Sequence, residues 1–521
     1  MAVEIVSPGD VRFDRLSHGQ NARFPASPAD RASRIALCDN SEDVAEALER
    51  FVHAGLRPTI RSGGNCYEDF TDNNPGGAII DISFLAGTEP PANGPKYRLG
   101  AGTPLGRAYP DLYKRDLVTI PGGTCAPVCA GGHISGGGFG LLSRLHGITP
   151  DWVTAVDVVT IDNAGKAHIL RADSKNNSDL LRACRGAGGG NFGVTTNFYF
   201  DTLPKAPKEV MRGGISFPWD DMTEERFTRI MYLFSNYWDT RGRDKDTWGL
   251  FSIFNLSHRS SGHLSMSVNF TNPDGTVDDT RVLDEFLAVF DECKPIAELS
   301  KHPAMALHHA EPEHPGTIVC LAKHNVSKAA WVDTLPASSG GGGGRGPGAP
   351  PSPTRHKYKS AFLRRTYSQE EASCFYRHLT RTIDGVDLSG NTVLCDSFGA
   401  AVNDPKKYEE TSSPQRSSIM KLQFIASWKD ARQDAGQAQW LRDFYADLFK
   451  LSGDHAKYSG TPYWGERYEG CYINYPDADM VQHDFWPHLY YGTGDLYPFL
   501  QNVKKKYDPN NIFHHAMSVR A

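Results

Sequence analysis

A thiol, two phenols and three clusters of glycine are the parts of this sequence that can do chemistry together. Cys125 stands in Pro121-Gly-Gly-Thr-Cys-Ala-Pro-Val128, just ahead of Gly131-Gly-His-Ile-Ser-Gly-Gly-Gly-Phe-Gly140. Six glycines in ten residues cost much backbone entropy on folding, a cost tolerated where a ligand must touch bare backbone. The stretch is neither the Gly-x-Gly-x-x-Gly of a dinucleotide-binding helix nor a phosphate loop, because no Lys-Ser/Thr follows. Arg185-Gly-Ala-Gly-Gly-Gly-Asn-Phe-Gly193 is a second cluster. Arg61-Ser62-Gly63-Gly64-Asn65 is a third, and there a pyrophosphate would meet exposed peptide N–H groups. Each has a plain alternative when taken alone: a strand turn at 61–65, a buried inert thiol at Cys125.

The phenols lie near the other end, in Tyr472-Ile-Asn-Tyr475-Pro-Asp477. On a strand, Tyr472 and Asn474 share one face and Tyr475 takes the other; packing of aromatics beside a domain junction is the plain alternative. A phenol titrates near pH ~10. It serves as a base at neutral pH only if a cation lowers it or if its proton transfer is concerted with bond cleavage. Lys421, Arg364 and Arg365 are the candidate cations. His133 is expected to bond backbone within its glycine loop rather than to act on a substrate. The pair His514-His515 is not read as a metal site, and no metal is expected.

The elements that must position these groups are short. The sequence predicts a helix over 42–55 ended by Gly55, a strand at Pro58–Ser62, strands at 78–82 and 97–103, a helix through 111–115 and a strand at 118–120. Val153–Ile161 reads as a strand turned by Asp162-Asn-Ala-Gly, Ser178–Cys184 as a capped helix and Val194–Asp201 as a strand. From about 205 to 455 longer helices (224–237, 282–290, 437–451) alternate with strands (248–256, 264–270, 419–428). A last helix covers 496–506. The fold class is therefore α+β in two domains. The first is built from residues 1–205 and 470–521, and the second, a substrate domain, from 206–469. The Gly/Pro-rich run 338–354 reads as a surface loop.

Bulk properties exclude several classes. The 521 residues exceed one simple core. A net charge of −6 provides no basic field for nucleic acid or an anionic membrane. No signal peptide or membrane span is read, and the ten cysteines are spaced neither as a zinc site nor as a disulfide framework. The expectation is a cytoplasmic monomer or homodimer.

Together the motifs resemble the FAD-linked oxidases of the vanillyl-alcohol oxidase and berberine-bridge-enzyme type. The matching segments are 61–65, 121–128, 131–140, 185–194 and 508–515. Within the family the likeness is strongest to members of secondary metabolism, of the lipoglycopeptide hexose-oxidase type. It rests there on Gly63–Phe70, Gly344–Pro347, Phe362–Arg365 and Gly470–Asp477. The resemblance implies a PCMH-type FAD-binding fold, with an antiparallel sheet of the second domain roofing the flavin and helices behind it.

By the same resemblance the cofactor is FAD. It would be held by Arg61, Ser62, Gly63, Gly64, Asn65, Gly122, Gly123, Gly131, Gly132, His133, Ser135, Gly136, Gly137, Gly138, Gly140, Gly190, Asn191, Gly193, Val194 and Asn474. Cys125 falls where the family forms a 6-S-cysteinyl bond to the isoalloxazine. Asn65 replaces the histidine that bonds to the 8α-methyl group. An amide nitrogen is a poor nucleophile, so a single tether is expected. Phe139 takes a position where the hexose-oxidase type has Tyr, and so lacks a hydroxyl there. Tyr475 falls where carbohydrate-type oxidases keep their catalytic base, and Tyr472 where a substrate-contacting Tyr lies.

The implied activity is oxidation of an alcohol on a sugar or glycosylated natural product, with dioxygen as acceptor and hydrogen peroxide as product. Oxidative ring closure on an alkaloid or polyketide, and a flavin-bearing binding protein without turnover, stand as alternatives.

Overall fold

The computed structural model describes residues 2–295, 325–335, 353–450 and 456–521. Three sheets carry the architecture. In the first, β1 (Glu4–Val6), β2 (Arg34–Leu37), β3 (Pro58–Arg61) and β4 (Ala78–Asp81) are ordered β1-β2-β4-β3. The pairs β2–β4 and β3–β4 run parallel. A helix, Ser41–His53, provides the crossover from β2, as a parallel connection requires. The Asn40 side chain caps that helix by accepting from Asp43 N, and Val44, Ala47, Leu48 and Phe51 form its buried stripe.

The second sheet has the order β5-β8-β6-β7, from β5 (Tyr97–Gly100), β6 (Ala155–Ile161), β7 (Ala167–Asp173) and β8 (Val194–Phe200). The β6–β7 hairpin closes at Asp162–Gly165, as the turn residues predict. Residues 118–120 form no strand. Val118 makes one isolated bridge to Lys205, too little pairing for a ladder. Ser178–Cys184 is helical, but no side chain caps its N-terminus.

The third sheet is wholly antiparallel, with the order β12-β9-β11-β10-β14-β15-β13. Its strands are β9 (Glu209–Pro218), β10 (Leu250–Ser257), β11 (His263–Phe270), β12 (Asn325–Ala330), β13 (Arg355–Leu363), β14 (Thr392–Ser397) and β15 (Met420–Trp428). The helices Glu224–Thr240, Gln369–Thr380 and Asp434–Lys450 cover one face. There Phe424 meets Phe444 with ring centroids 5.5 Å apart. Alternation along each strand turns the remaining side chains, among them Ile253, Leu394, Asp396, Lys421 and Gln423, to the opposite face, which lines a cavity. Apart from Pro353 and Thr354, the loop 338–354 lies outside the described residues, as does 344–347.

The C-terminal segment returns to the first 200 residues. Lys504 Nζ donates to Asn191 O at 2.8 Å, Val519 N to Asn191 Oδ1 at 2.9 Å and Tyr491 Oη to Ala187 O at 3.0 Å. Two deeply buried cations tie the halves together. Arg144 reaches Leu250 O at 2.9 Å and Gly242 O at 3.0 Å, and Arg416 pairs with Asp151 at 2.8 Å.

Candidate active site

The cavity between the sheets measures about 1350 Å³, above the ~300–1,000 Å³ of ordinary small-molecule sites. It therefore has room for a large cofactor and a substrate together. Its floor is the glycine-rich backbone at 61–65, 123–125, 131–135 and 188–193. The polar face of the third sheet is its roof, and residues 472–476 form one wall. Arg61, Ser62, Gly63, Gly64, Asn65, Gly123, Cys125, Gly131, Gly132, His133, Ser135, Gly140, Gly190, Asn191, Gly193, Tyr472, Asn474 and Tyr475 all line it.

Other expected contacts stand elsewhere. Gly136 and Gly137 line a separate 20 Å³ chamber behind Tyr472. Gly122, Gly138 and Val194 do not line the main cavity. Gly122 is pressed against Gly140, where a Cβ would lie 1.7 Å from Gly122 O. Gly138 O accepts from Thr149 N at 3.0 Å. Val194 is fully buried in β8. The glycines thus have two uses, close backbone packing at 122 and 140 and an open floor elsewhere. At Gly132, which faces the cavity, a Cβ would meet nothing within 4 Å. That room against bare backbone fits a flat cofactor lying on the floor.

Arg61 lines the cavity, but its guanidinium is held between two buried carboxylates, Asp72 at 2.9 Å and Asp81 at 2.8 Å. It braces the loop, and the loop's backbone is left to meet the ligand. Asn65 Nδ2 donates to Gly63 O at 2.9 Å. Cys125 is partly exposed to the cavity. Burial pushes its thiol up, and a side-chain hydrogen bond with Thr124 pulls the other way. His133 Nε2 accepts from Gly123 N at 2.9 Å, the backbone role expected for it. Burial, helped by the charge of Lys421, pushes this imidazole down to about 4, so it is neutral. Asn474 Nδ2 donates to His133 O at 2.9 Å and so fastens the wall to the floor.

Residues 472–475 are a turn, not a strand. Tyr475 N donates to Tyr472 O at 2.9 Å, a closure that Asn474 and Pro476 favour. The two phenols therefore face one site, their rings 4.9 Å apart and edge to face. Lys421 is the cation of the three candidates that reaches them. Its Nζ donates to Tyr475 Oη at 2.9 Å, pairs with Asp396 Oδ2 at 2.8 Å and lies 4.5 Å from the centre of the Phe139 ring. Arg364 is drawn off to Glu469 at 3.1 Å, and Arg365 is exposed.

Burial first, then the Asp396 carboxylate, push the Tyr475 phenol well above its ordinary value. The neighbouring cation is thus already spent on Asp396, and Tyr475 rests protonated. Burial also raises Tyr472, opposed by the Lys421 charge and by backbone N–H groups of Phe139 and Gly138. The Tyr472 hydroxyl packs into the glycine loop, where a Cβ on Gly137 would lie 2.8 Å from it.

Several contributors were not legible in advance. Asp396 faces Lys421 across the β14–β15 register. Tyr67 stacks between Tyr358, 3.6 Å away, and Tyr475, 5.6 Å away, and accepts from Gln423 Nε2 at 3.2 Å. Behind β13, Lys357 pairs with Glu68 and with Asp477 Oδ1 at 2.7 Å. Lys359 pairs with Asp477 Oδ2 and, at 3.1 Å, with Asp479, which Arg442 also holds at 2.9 Å. This network anchors the chain two residues beyond Tyr475. His515 stacks on Phe70 at 4.3 Å, and burial pushes it down to about 3.

A model of the family described as FAD binding domain matches residues 32–170, and one described as berberine and berberine like matches 471–520. The chain is 31% identical to aclacinomycin-N/aclacinomycin-A oxidase of Streptomyces galilaeus, over 98% of this chain and 88% of that protein. It is 29% identical to hexose oxidase of Chondrus crispus, over 98% and 93%. A glycopeptide hexose oxidase solved in complex with teicoplanin superposes with a TM-score of 0.84 at 31% identity, covering 100% of this chain and 99% of that one. With the PCMH-type α+β architecture and a glycine-floored cavity of matching size, these place the chain in the berberine-bridge-type family of FAD-linked oxidases, as an FAD-dependent oxidoreductase.

Proposed function

We propose that the protein oxidises an alcohol carried by a sugar or a glycosylated natural product, with Tyr475 as the group that takes the hydroxyl proton. The observation that carries this reading is the Lys421–Tyr475 contact of 2.9 Å on the cavity wall opposite the glycine floor. FAD bound there would supply the hydride acceptor and the route by which the electrons reach dioxygen, which is reduced to hydrogen peroxide. The residues fit it: the floor at 63–65, 131–132 and 188–191 would hold the cofactor, and Cys125, which faces the same cavity, would be the single side chain to tether it, through a 6-S-cysteinyl bond. The amide at Asn65 supplies no second tether.

Tyr475 orients the substrate hydroxyl and accepts its proton as hydride leaves the same carbon. Because its phenol is held protonated at rest, it acts as a base only after giving its own proton to solvent water in the open cavity; the phenolate then takes the hydroxyl proton as the C–H bond breaks. Lys421 stabilises the negative charge that develops on Tyr475 Oη by a charge-assisted hydrogen bond. Tyr472, fixed against the glycine loop, positions Tyr475 and the substrate.

The test is anaerobic mixing of the FAD-loaded protein with hexoses, oligosaccharides and glycosylated aromatics, read as bleaching of the flavin absorbance. Reduction by sugars with no ring-closed product supports the reading. Reduction only by phenolic or alkaloid substrates with a new C–C or C–O bond would support ring closure, and no reduction by any member would leave a flavin-binding protein.

A further inference from the structure

Tyr475 is held from two sides by the loop that forms part of the cavity floor. That loop leaves β3 at Arg61, lines the cavity at 62–65 and continues into Tyr67 and Glu68. The Tyr67 ring stacks on the Tyr475 ring at 5.6 Å and on the Tyr358 ring at 3.6 Å. Glu68, 5% exposed, does not line the cavity. Its Oε1 accepts from Ala478 N at 3.3 Å and pairs with Lys357, whose Nζ lies 2.7 Å from Asp477 Oδ1. The ring of Tyr475 and the chain just beyond it are therefore both fixed by neighbouring residues of one loop.

Charge balance alone does not account for Glu68. Lys357 and Lys359 already face two carboxylates of the wall. Asp477 pairs with both, and Asp479 lies 3.1 Å from Lys359 and 3.5 Å from Lys357. Arg442, the remaining cation, is exposed and solvated. A third carboxylate in this place must be stripped of water, a cost of several kcal/mol by general estimate, and burial indeed pushes the Glu68 carboxyl up against the pull of Lys357. Of these charged groups, Glu68 is the one that comes from the floor loop; the others belong to β13, to the helix Asp434–Lys450 and to the wall itself. What it adds is a tie between floor and wall.

That tie bears on the chemistry because the wall is otherwise lightly held. The turn closes on Tyr475 N to Tyr472 O at 2.9 Å, and Tyr472 N donates to Ser360 Oγ at 3.0 Å. The phenol must keep its 2.9 Å contact with Lys421 Nζ while facing the floor. A misplacement of about 1 Å at a reacting group costs up to about a hundredfold in rate.

We infer that Glu68 is a positioning residue for Tyr475: through Lys357, Asp477 and Ala478 N it fixes the phenol at a set height above the glycine floor. The inference rests on the alcohol-oxidase reading above and extends it to a residue outside the cavity.

The experiment follows anaerobic flavin reduction by a reactive sugar in the FAD-loaded parent, Glu68→Gln, Tyr475→Phe and the double variant, with FAD content and unfolding midpoint verified for each. Glu68→Gln keeps the side chain's size and removes its charge. Its limiting reduction rate should fall about tenfold to a hundredfold, with the half-saturating sugar concentration changed by less than about threefold. Reoxidation by dioxygen, which does not use Tyr475, should stay within about twofold of the parent. Added to Tyr475→Phe, the same substitution should cost less than about a further twofold, since two residues acting through one group are not additive. Amide hydrogen exchange should quicken in residues 472–480 and stay as in the parent in 131–140. Glu68→Asp, which keeps the charge, should be reduced faster than Glu68→Gln; if Glu68→Gln fails to fold or to hold FAD, Glu68→Asp is judged against the parent by the same criteria.

Reduction at the parent rate, equal slowing of reduction and reoxidation, unchanged exchange in 472–480, or the same loss with Tyr475 present and with Tyr475→Phe overturns this inference and leaves alcohol oxidation in place. Failure of every sugar to reduce the flavin overturns the alcohol-oxidase reading itself, and the inference with it.

Discussion

Replacing Lys421 by Met separates the charge next to Tyr475 from the packing around it. Methionine keeps the length of the side chain and removes the ammonium that lies 2.9 Å from Tyr475 Oη and 2.8 Å from Asp396 Oδ2. Two effects follow, of different kinds. The first is kinetic. A hydrogen bond from a charged donor contributes about 1.5–3 kcal/mol, and here it is strongest when the phenol has lost its proton. Its loss is expected to slow flavin reduction about tenfold to a hundredfold. The second is structural. Asp396, 7% exposed, loses its partner, and leaving one member of a buried pair costs about 3–5 kcal/mol.

The second substitution Asp396→Asn removes the stranded charge. The double variant should therefore recover most of the stability and none of the rate. Stopped-flow reduction under nitrogen with a saturating sugar reads the rate, and urea unfolding reads the stability. If Lys421→Met reduces its flavin at the parent rate, or if the double variant recovers both rate and stability, the electrostatic role assigned to Lys421 is wrong.

Mass spectrometry of tryptic peptides should find flavin on the Cys125 peptide and none on the Asn65 peptide; Cys125→Ala should release FAD on acid precipitation. Asn65→His should permit a second bond and raise the flavin potential by a few tens of millivolts, where about 30 mV corresponds to a factor of ten; an unchanged potential in a redox-dye titration would show that the bond does not set it. Asp477→Asn weakens both Lys357 and Lys359 pairs behind β13 and should destabilise the fold by about 3 kcal/mol or more in thermal or urea unfolding. His133 and His356, each pushed down to about 4 by burial, bind protons more readily when unfolded. Stability should therefore be intact above pH ~6.5 and fall as the pH drops towards about 4, and His133→Gln should flatten that part of the profile.

The glycine-lined floor of the cavity was legible in the residues because glycine density needs a physical cause and five motifs repeat a family pattern. The helices at 41–53 and 496–507 and the β6–β7 hairpin were legible for the usual reasons of periodicity, capping and turn chemistry. The wall was misread as a strand. Alternation of Tyr, Ile, Asn and Tyr suits a strand, but a single hydrogen bond from Tyr475 N to Tyr472 O turns both phenols to one side. Asp396 and the Tyr67–Tyr358 stack stayed hidden because their meaning depends on pairing between strands far apart in sequence. Asp396 becomes chemically interesting only when β14 lies beside β15 and sets it against Lys421. Arg61 shows the reverse case: the family resemblance set it among the cofactor's contacts, and two buried aspartates at 72 and 81 already occupy its guanidinium.

In the proposed oxidation Tyr475 is the group that takes the substrate proton. The direct measurement is rapid anaerobic reduction of the bound FAD by a reactive sugar in Tyr475→Phe against the parent, with flavin content and unfolding midpoint checked for both. Reduction slowed by about two to four orders of magnitude, with FAD still in place, is the predicted result. A Tyr475→Phe protein that is reduced as fast as the parent would contradict it and would move the base to Tyr472.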